Sequence, residues 1–164
     1  MKKLFLIGGT MGIGKTETCQ YLKKELSNSV FLDGDWCWDA NPFQITEETK
    51  NMVLSNICYL LNNFIHCSAY QNIIFCWVMH EQGIINSILS RLDTVDCDVK
   101  NISLVVDEVN LRNRLMSDIS KGVRTIDIVE RSVSRIPLYQ RLNTIKINTT
   151  DKSIKMISDE IMSL

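Results

Sequence analysis

Four of the chain's seven glycines, Gly8, Gly9, Gly12 and Gly14, fall within seven consecutive positions, and Lys15 and Thr16 follow at once. The apolar stretch Leu4–Ile7 leads into this cluster, and a helical pattern with Cys19, Leu22 and Leu26 on one face leads out of it. Glycine tolerates backbone conformations that other residues avoid, so a cluster this dense between a strand and a helix predicts a tight, curled connection. Gly9-Thr10-Met11-Gly12-Ile13-Gly14-Lys15-Thr16 fits G-x-x-x-x-G-K-[ST]. In that pattern the curled backbone turns successive N–H groups inward and the helix N-terminus adds positive potential. Lys15 then reaches the β- and γ-phosphates, and the Thr16 hydroxyl can ligate Mg²⁺. Gly9 through Thr16, with Thr18 on the following turn, are the predicted nucleoside triphosphate contacts.

Short apolar runs alternate with 3.6-residue patterns along the rest of the chain, which predicts alternating strands and helices. Strands are expected at Leu4–Ile7, Val30–Leu32, Ile73–Val78, Ile102–Val106 and Thr144–Ile147. Between them the patterns predict a long helix from Thr46, with Val53, Ile57, Leu60 and Phe64 inward, and helices over Gly83–Arg91 and Glu108–Ile119. A further helix should end near Pro137, and Ile154, Ile157, Ile161 and Leu164 mark the last. Strands apolar throughout need cover on both faces, so the expected fold is one three-layer α/β domain over residues 1–164 with a five-stranded parallel sheet. Ligands bind such sheets at the edge where all strands end.

Composition narrows the function. Eighteen Lys and Arg against 19 Asp and Glu leave a net charge of −1, which argues against a general nucleic-acid binder. Only four apolar residues follow Lys2 and Lys3, too few for a signal-peptide core, and Ile73–Met79 is far below the ~18 residues that cross a bilayer. Six cysteines without C-x-x-C or Cys/His spacing suit a reducing compartment. A cytoplasmic protein, free of membrane and monomeric or homodimeric, is expected.

The second strand runs into Asp33-Gly34-Asp35, which parallel pairing should carry to the same edge as Lys15. One carboxylate could hold Mg²⁺ through water, and the other could accept the proton of an attacking hydroxyl. Six of the seven arginines lie beyond residue 110. Arg124 sits in Lys121–Thr125, within a predicted lid over residues 120–126 that could swing a guanidinium onto a transferring phosphoryl group. Arg131 and Arg135 face either the phosphates or water, and Arg114 is placed to stack on a purine. Trp36, Trp38 and Trp77 all fall at the ends of the second and third strands, where they could wall an acceptor pocket. His80 and Glu81 follow the third strand there, whereas His66 lies inside the long helix.

Taken with the Leu111–Arg114 stretch and the segment Ile145–Thr150, these motifs resemble the small P-loop kinases of the zeta-toxin, chloramphenicol phosphotransferase, gluconate kinase and adenylylsulfate kinase types. The resemblance spans nearly the whole chain. It implies a P-loop NTPase fold and transfer of the ATP γ-phosphoryl, with Mg²⁺, to a hydroxyl of a small acceptor such as a nucleoside, nucleotide, sugar or antibiotic. It implies further that Lys15, Asp35 and Arg124 are catalytic, with Asp33 the alternate base, that Thr16 and Asp33 serve the metal, and that Asn148, Thr149 and Thr150 touch adenine. The third strand lacks an acidic residue at its end, so the metal leans on Thr16 and Asp33. A nucleotide-dependent switch without an acceptor, or a toxin-type kinase acting on a sugar nucleotide, are the alternative functions.

Overall fold

A computed structural model describes all of residues 1–164. Its centre is β1 (Lys2–Gly8), whose Leu4, Phe5, Leu6 and Ile7 are buried. β1 pairs in parallel with β3 (Asn72–Trp77) on one side and β4 (Cys97–Val105) on the other. β2 (Ser29–Asp33) and β5 (Ile145–Asn148) complete the parallel order β2-β3-β1-β4-β5.

Side chains alternate across β1. Phe5 and Ile7 join one core with Cys19 and Leu22 of α1 (Lys15–Glu25), Leu111 and Leu115 of α4 (Glu108–Ser120), and Ile157 and Ile161 of α7 (Ile154–Met162). Leu4 and Leu6 join the other with Val53, Ile57 and Leu61 of α2 (Glu47–His66) and Ile85 and Ile88 of α3 (Gln82–Leu89). Each such Leu or Ile, taken fully out of water, contributes about 1.5–3 kcal/mol. The chain leaves β1 toward β2 and leaves β3 toward β4, so the strand order reverses between β1 and β3. A crevice opens at that point of the strand ends, as it does in other open α/β sheets.

Three details depart from the pattern read in the sequence. β4 begins at Cys97 rather than Ile102, because Cys97–Asn101 pair with β1 alone and β5 reaches only Ile102 onward. Polar Asp98, Lys100 and Asn101 are tolerated on that unpaired edge. In α2 the inward stripe runs Val53, Ile57, Leu61 and Ile65, with Cys58 also buried, so the buried face is centred to one side of Leu60 and Phe64, which are only half-buried on its flank. Pro137 does not end a helix. It lies in the first turn of α6 (Ile136–Arg141), after α5 (Ile128–Ser134) has stopped, where its missing N–H would have had no partner.

Gly34 is a packing requirement. A Cβ there would lie 2.5 Å from Trp77 Cγ and 2.6 Å from Cδ1, atoms of a rigid ring rather than a flexible tip. Gly34→Ala is expected to cost about 1–3 kcal/mol, which for a domain of this size lowers the melting temperature by roughly 2–10 °C in a thermal unfolding scan.

Candidate functional site

Gly12 and Gly14 take φ values of 80° and 95°, the left-handed region. The loop thereby curls around its own lysine, whose Nζ donates to the carbonyls of Gly9 (2.8 Å) and Thr10 (3.1 Å). Burial pushes the Lys15 ammonium below its usual pKa, against the pull of Asp35 and Asp33. Thr10 is buried, with its hydroxyl donated to the Ser132 carbonyl at 2.8 Å, so that residue offers a phosphate only its backbone. Ile13 is likewise buried in the core, and Met11 is partly so.

Asp33 and Asp35 are held differently although they are two residues apart. Asp33 is 6% exposed; one oxygen accepts from the Thr16 hydroxyl at 2.7 Å, and the other caps the 3-10 turn Gly34–Cys37 by accepting from Asp35 N–H at 3.1 Å. The Asp35 side chain projects into the open cleft with its carboxylate beside the Trp77 indole. Its desolvation and the Asp33 charge raise its pKa, against the opposing pull of Lys15, Trp77 and Arg124. A carboxylate with a raised pKa loses its ionised form earlier as pH falls, which bears on activity where that carboxylate serves as a base. The acid limb of a kcat/KM–pH profile is therefore expected above the range of a free carboxylate, and Asp33→Asn, by removing the like charge, should move it to lower pH.

The cleft has a volume of about 710 Å³ and is walled by the loop, Asp33, Asp35 and Val78 on one side and by α4, Arg124 and the start of α7 on the other. Arg114 joins these parts: it donates to the Ile13 carbonyl (3.3 Å), the Thr149 hydroxyl (3.2 Å) and the Thr149 carbonyl (2.8 Å). Its guanidinium plane is thus fixed at the cleft wall. Arg124 faces the cleft from the segment between α4 and α5, where its Nε donates to Asp118 Oδ2 at 3.0 Å. Gly122, at φ 72°, turns the chain just before it.

Several expected residues stand elsewhere. Thr18 is fully buried and off the cleft wall, because the inward face of α1 carries it into the core. Thr149 is fully buried, Asn148 accepts from Thr150 N–H, and the Thr150 hydroxyl donates to Asp107, so this turn is occupied with itself. Lys152, Ser153 and Ile154 line the cleft in its place.

The three tryptophans do not wall one pocket. Trp36 turns to the α1 side of β2, edge-on to Phe31 at 5.1 Å, while Trp38 and Trp77 pack on the α2 side. Arg131 binds Asp127 on an exposed helix face, and Arg112 links Glu108 to Glu130. His66 pairs with Asp93 far from the cleft. Asn113, Ser117 and Asp118 were not anticipated. Asn113 and Ser117 form a polar i, i+4 row on α4 away from Leu111 and Leu115, whereas Asp118, three residues after Leu115, sits at the edge of the apolar stripe.

Thr16 and Asp33 supply two hard oxygen atoms, and no group of three His, Cys, Asp or Glu side chains gathers anywhere in the chain. Such a donor set suits a cation held largely by water and phosphate oxygens, which is the habit of Mg²⁺. No helix is long and apolar enough to cross a membrane.

Comparison with known proteins agrees with this geometry. No curated protein matches the chain by sequence. Among solved structures, a gluconokinase from Sinorhizobium meliloti superposes with a TM-score of 0.72 at 12% identity, covering 98% of this chain and 90% of the other. The APS kinase of Mycobacterium tuberculosis, solved with AMPPNP and APS, gives 0.68 at 14% identity over 99% and 96%. A shikimate kinase from Acinetobacter baumannii, solved with shikimate, gives 0.62 at 17% identity over 99% and 92%. The fold is that of the small P-loop kinases. Residues 6–134 match the AAA domain family model, and the chain belongs to that family.

Proposed function

We propose that this protein is an ATP- and Mg²⁺-dependent phosphotransferase acting on a hydroxyl of a small acceptor. The observation that carries this reading is the division of labour between two neighbouring carboxylates: Asp33 is tied to Thr16 beside the phosphate loop, while Asp35 stays free in the cleft. A protein that only bound nucleotide would have no use for a second, unpaired carboxylate there. The fold neighbours are kinases of gluconate, adenylylsulfate and shikimate type, which accords with the same chemistry.

In this reading Asp35 takes the proton of the acceptor hydroxyl as its oxygen bonds to the γ-phosphorus, and the bond to the β–γ bridging oxygen breaks to leave ADP. Lys15 and Arg124 stabilise the charge on the transferring group. Thr16 and Asp33 are the residues that would hold Mg²⁺, which would supply charge neutralisation at the phosphates. Arg114 fixes the loop and presents its plane to the purine. Arg124 has to leave Asp118 to reach the phosphates, and Gly122 permits that swing.

The test is ATP turnover across a panel of hydroxylated metabolites, with ADP release and acceptor mass both followed. Acceptor-stimulated ADP release with one phosphoryl group added per acceptor is expected. Tight nucleotide binding with no stimulation by any acceptor would leave a nucleotide-dependent switch as the better reading.

A further inference from the structure

We infer, resting on the phosphotransferase reading, that the acceptor carries no negative charge and lies with a ring face against the aromatic pair Trp38–Phe43. From Asp33 to Glu81, the chain that runs from the turn carrying Asp35 through Trp38, Phe43 and α2 to just past β3, stand six carboxylates against one lysine and no arginine, with Asp33 and Asp35 in the cleft itself and the others outside its wall. That lysine, Lys50, is held by Glu47 at 2.8 Å. An anionic acceptor would meet repulsion along this side, whereas a neutral or cationic one would not.

The second observation is independent of charge. Trp38 packs on Phe43 with ring centroids 4.3 Å apart, yet Phe43 remains 54% exposed, and Ile45 two residues on is exposed as well. The Asn56 side-chain amide donates to the Cys37 carbonyl at 3.2 Å and fastens this segment to α2, so the pair is presented on a fixed support. Aromatic rings held at a surface next to a catalytic turn suit the apolar face of a sugar, nucleoside or aryl ring.

Cations across the cleft are committed elsewhere: Arg124 to Asp118, Arg131 to Asp127 and Lys152 to Glu160. Arg114 is spent on the Ile13 and Thr149 oxygens, whereas Arg135 has neither a carboxylate nor such a cradle, and its charge is felt by His80 just beyond β3. It is the residue an anionic acceptor would use, which makes it the built-in control.

The experiment compares acceptors matched in scaffold and differing in charge: glucose, glucosamine and gluconate, and nucleosides against their 5′-monophosphates, with phosphorylated product measured by mass spectrometry. Neutral or cationic members are expected to exceed their anionic counterparts by at least about tenfold in kcat/KM. Phe43→Ala should raise the acceptor KM about 3- to 10-fold with the ATP KM unchanged, the range expected for one lost ring contact. Preference for the anionic members, abolished by Arg135→Gln, would overturn the charge assignment; an unaltered acceptor KM in Phe43→Ala would overturn the ring contact. If ATP binds and no member of any class is phosphorylated, the phosphotransferase reading itself fails and this assignment falls with it.

Discussion

Asp35→Asn is expected to lower kcat by about 10²–10⁴-fold, the range for loss of a positioned general base, while ATP affinity measured by calorimetry stays within a few-fold of wild type. The separation follows from the site: Asp35 makes no contact that shapes the phosphate loop, whereas Asp33 holds both Thr16 and the 3-10 turn. The same substitution should make the ligand-free protein more resistant to heat at neutral pH. Desolvation and the Asp33 charge raise the Asp35 pKa in the folded state, so its stabilising effect is fully present below the unfolded value and is lost as pH rises through the folded one. Asparagine never ionises, so its advantage over aspartate grows across that same window and vanishes in acid. An Asp35→Asn protein that transfers phosphoryl groups at the wild-type rate would exclude Asp35 as the base and move attention to Asp33.

Much of this was legible in the sequence because local chemistry and topology agreed. A glycine-rich turn between a strand and a helix has few uses, and a strand two elements away had to end at the same edge, so Lys15, Thr16, Asp33 and Asp35 were found together. What escaped was set by neighbours distant in sequence. Nothing in Trp36-Cys37-Trp38 indicates that its two rings part to opposite faces of β2; Phe31 on one side and the α2 packing on the other decide it. Nor does periodicity reveal that Thr149 is sealed by Val105 and Arg114, which places an expected adenine contact behind the cleft wall. Asp118 was hidden for a simpler reason. An acid at the edge of a helix's apolar stripe looks solvated until Arg124 is seen to rest on it.

Lys15→Met should separate function from stability in the opposite direction to an ordinary core change. Bound nucleotide is expected to lose one charged hydrogen-bond partner, about 1.5–3 kcal/mol, or roughly 10- to 150-fold in Kd, and the transition state should lose a positioned cation worth a further ~10²-fold or more in kcat. The ligand-free fold is expected to be no weaker. Lys15 lies desolvated beneath the loop with only two backbone carbonyls as hydrogen-bond acceptors, and burial pulls its pKa down, so the charged form burdens the folded state. Methionine fills similar volume without that burden, although it leaves the Gly9 and Thr10 carbonyls without the ammonium. Thermal scans with and without ATP and Mg²⁺ distinguish the outcomes: an unchanged or higher ligand-free melting temperature with the ligand-induced rise abolished is the expected pair. A large fall in the ligand-free melting temperature would show instead that the ammonium is a structural pin of the loop. Its desolvation would then no longer explain why the loop holds a cation ready for phosphate.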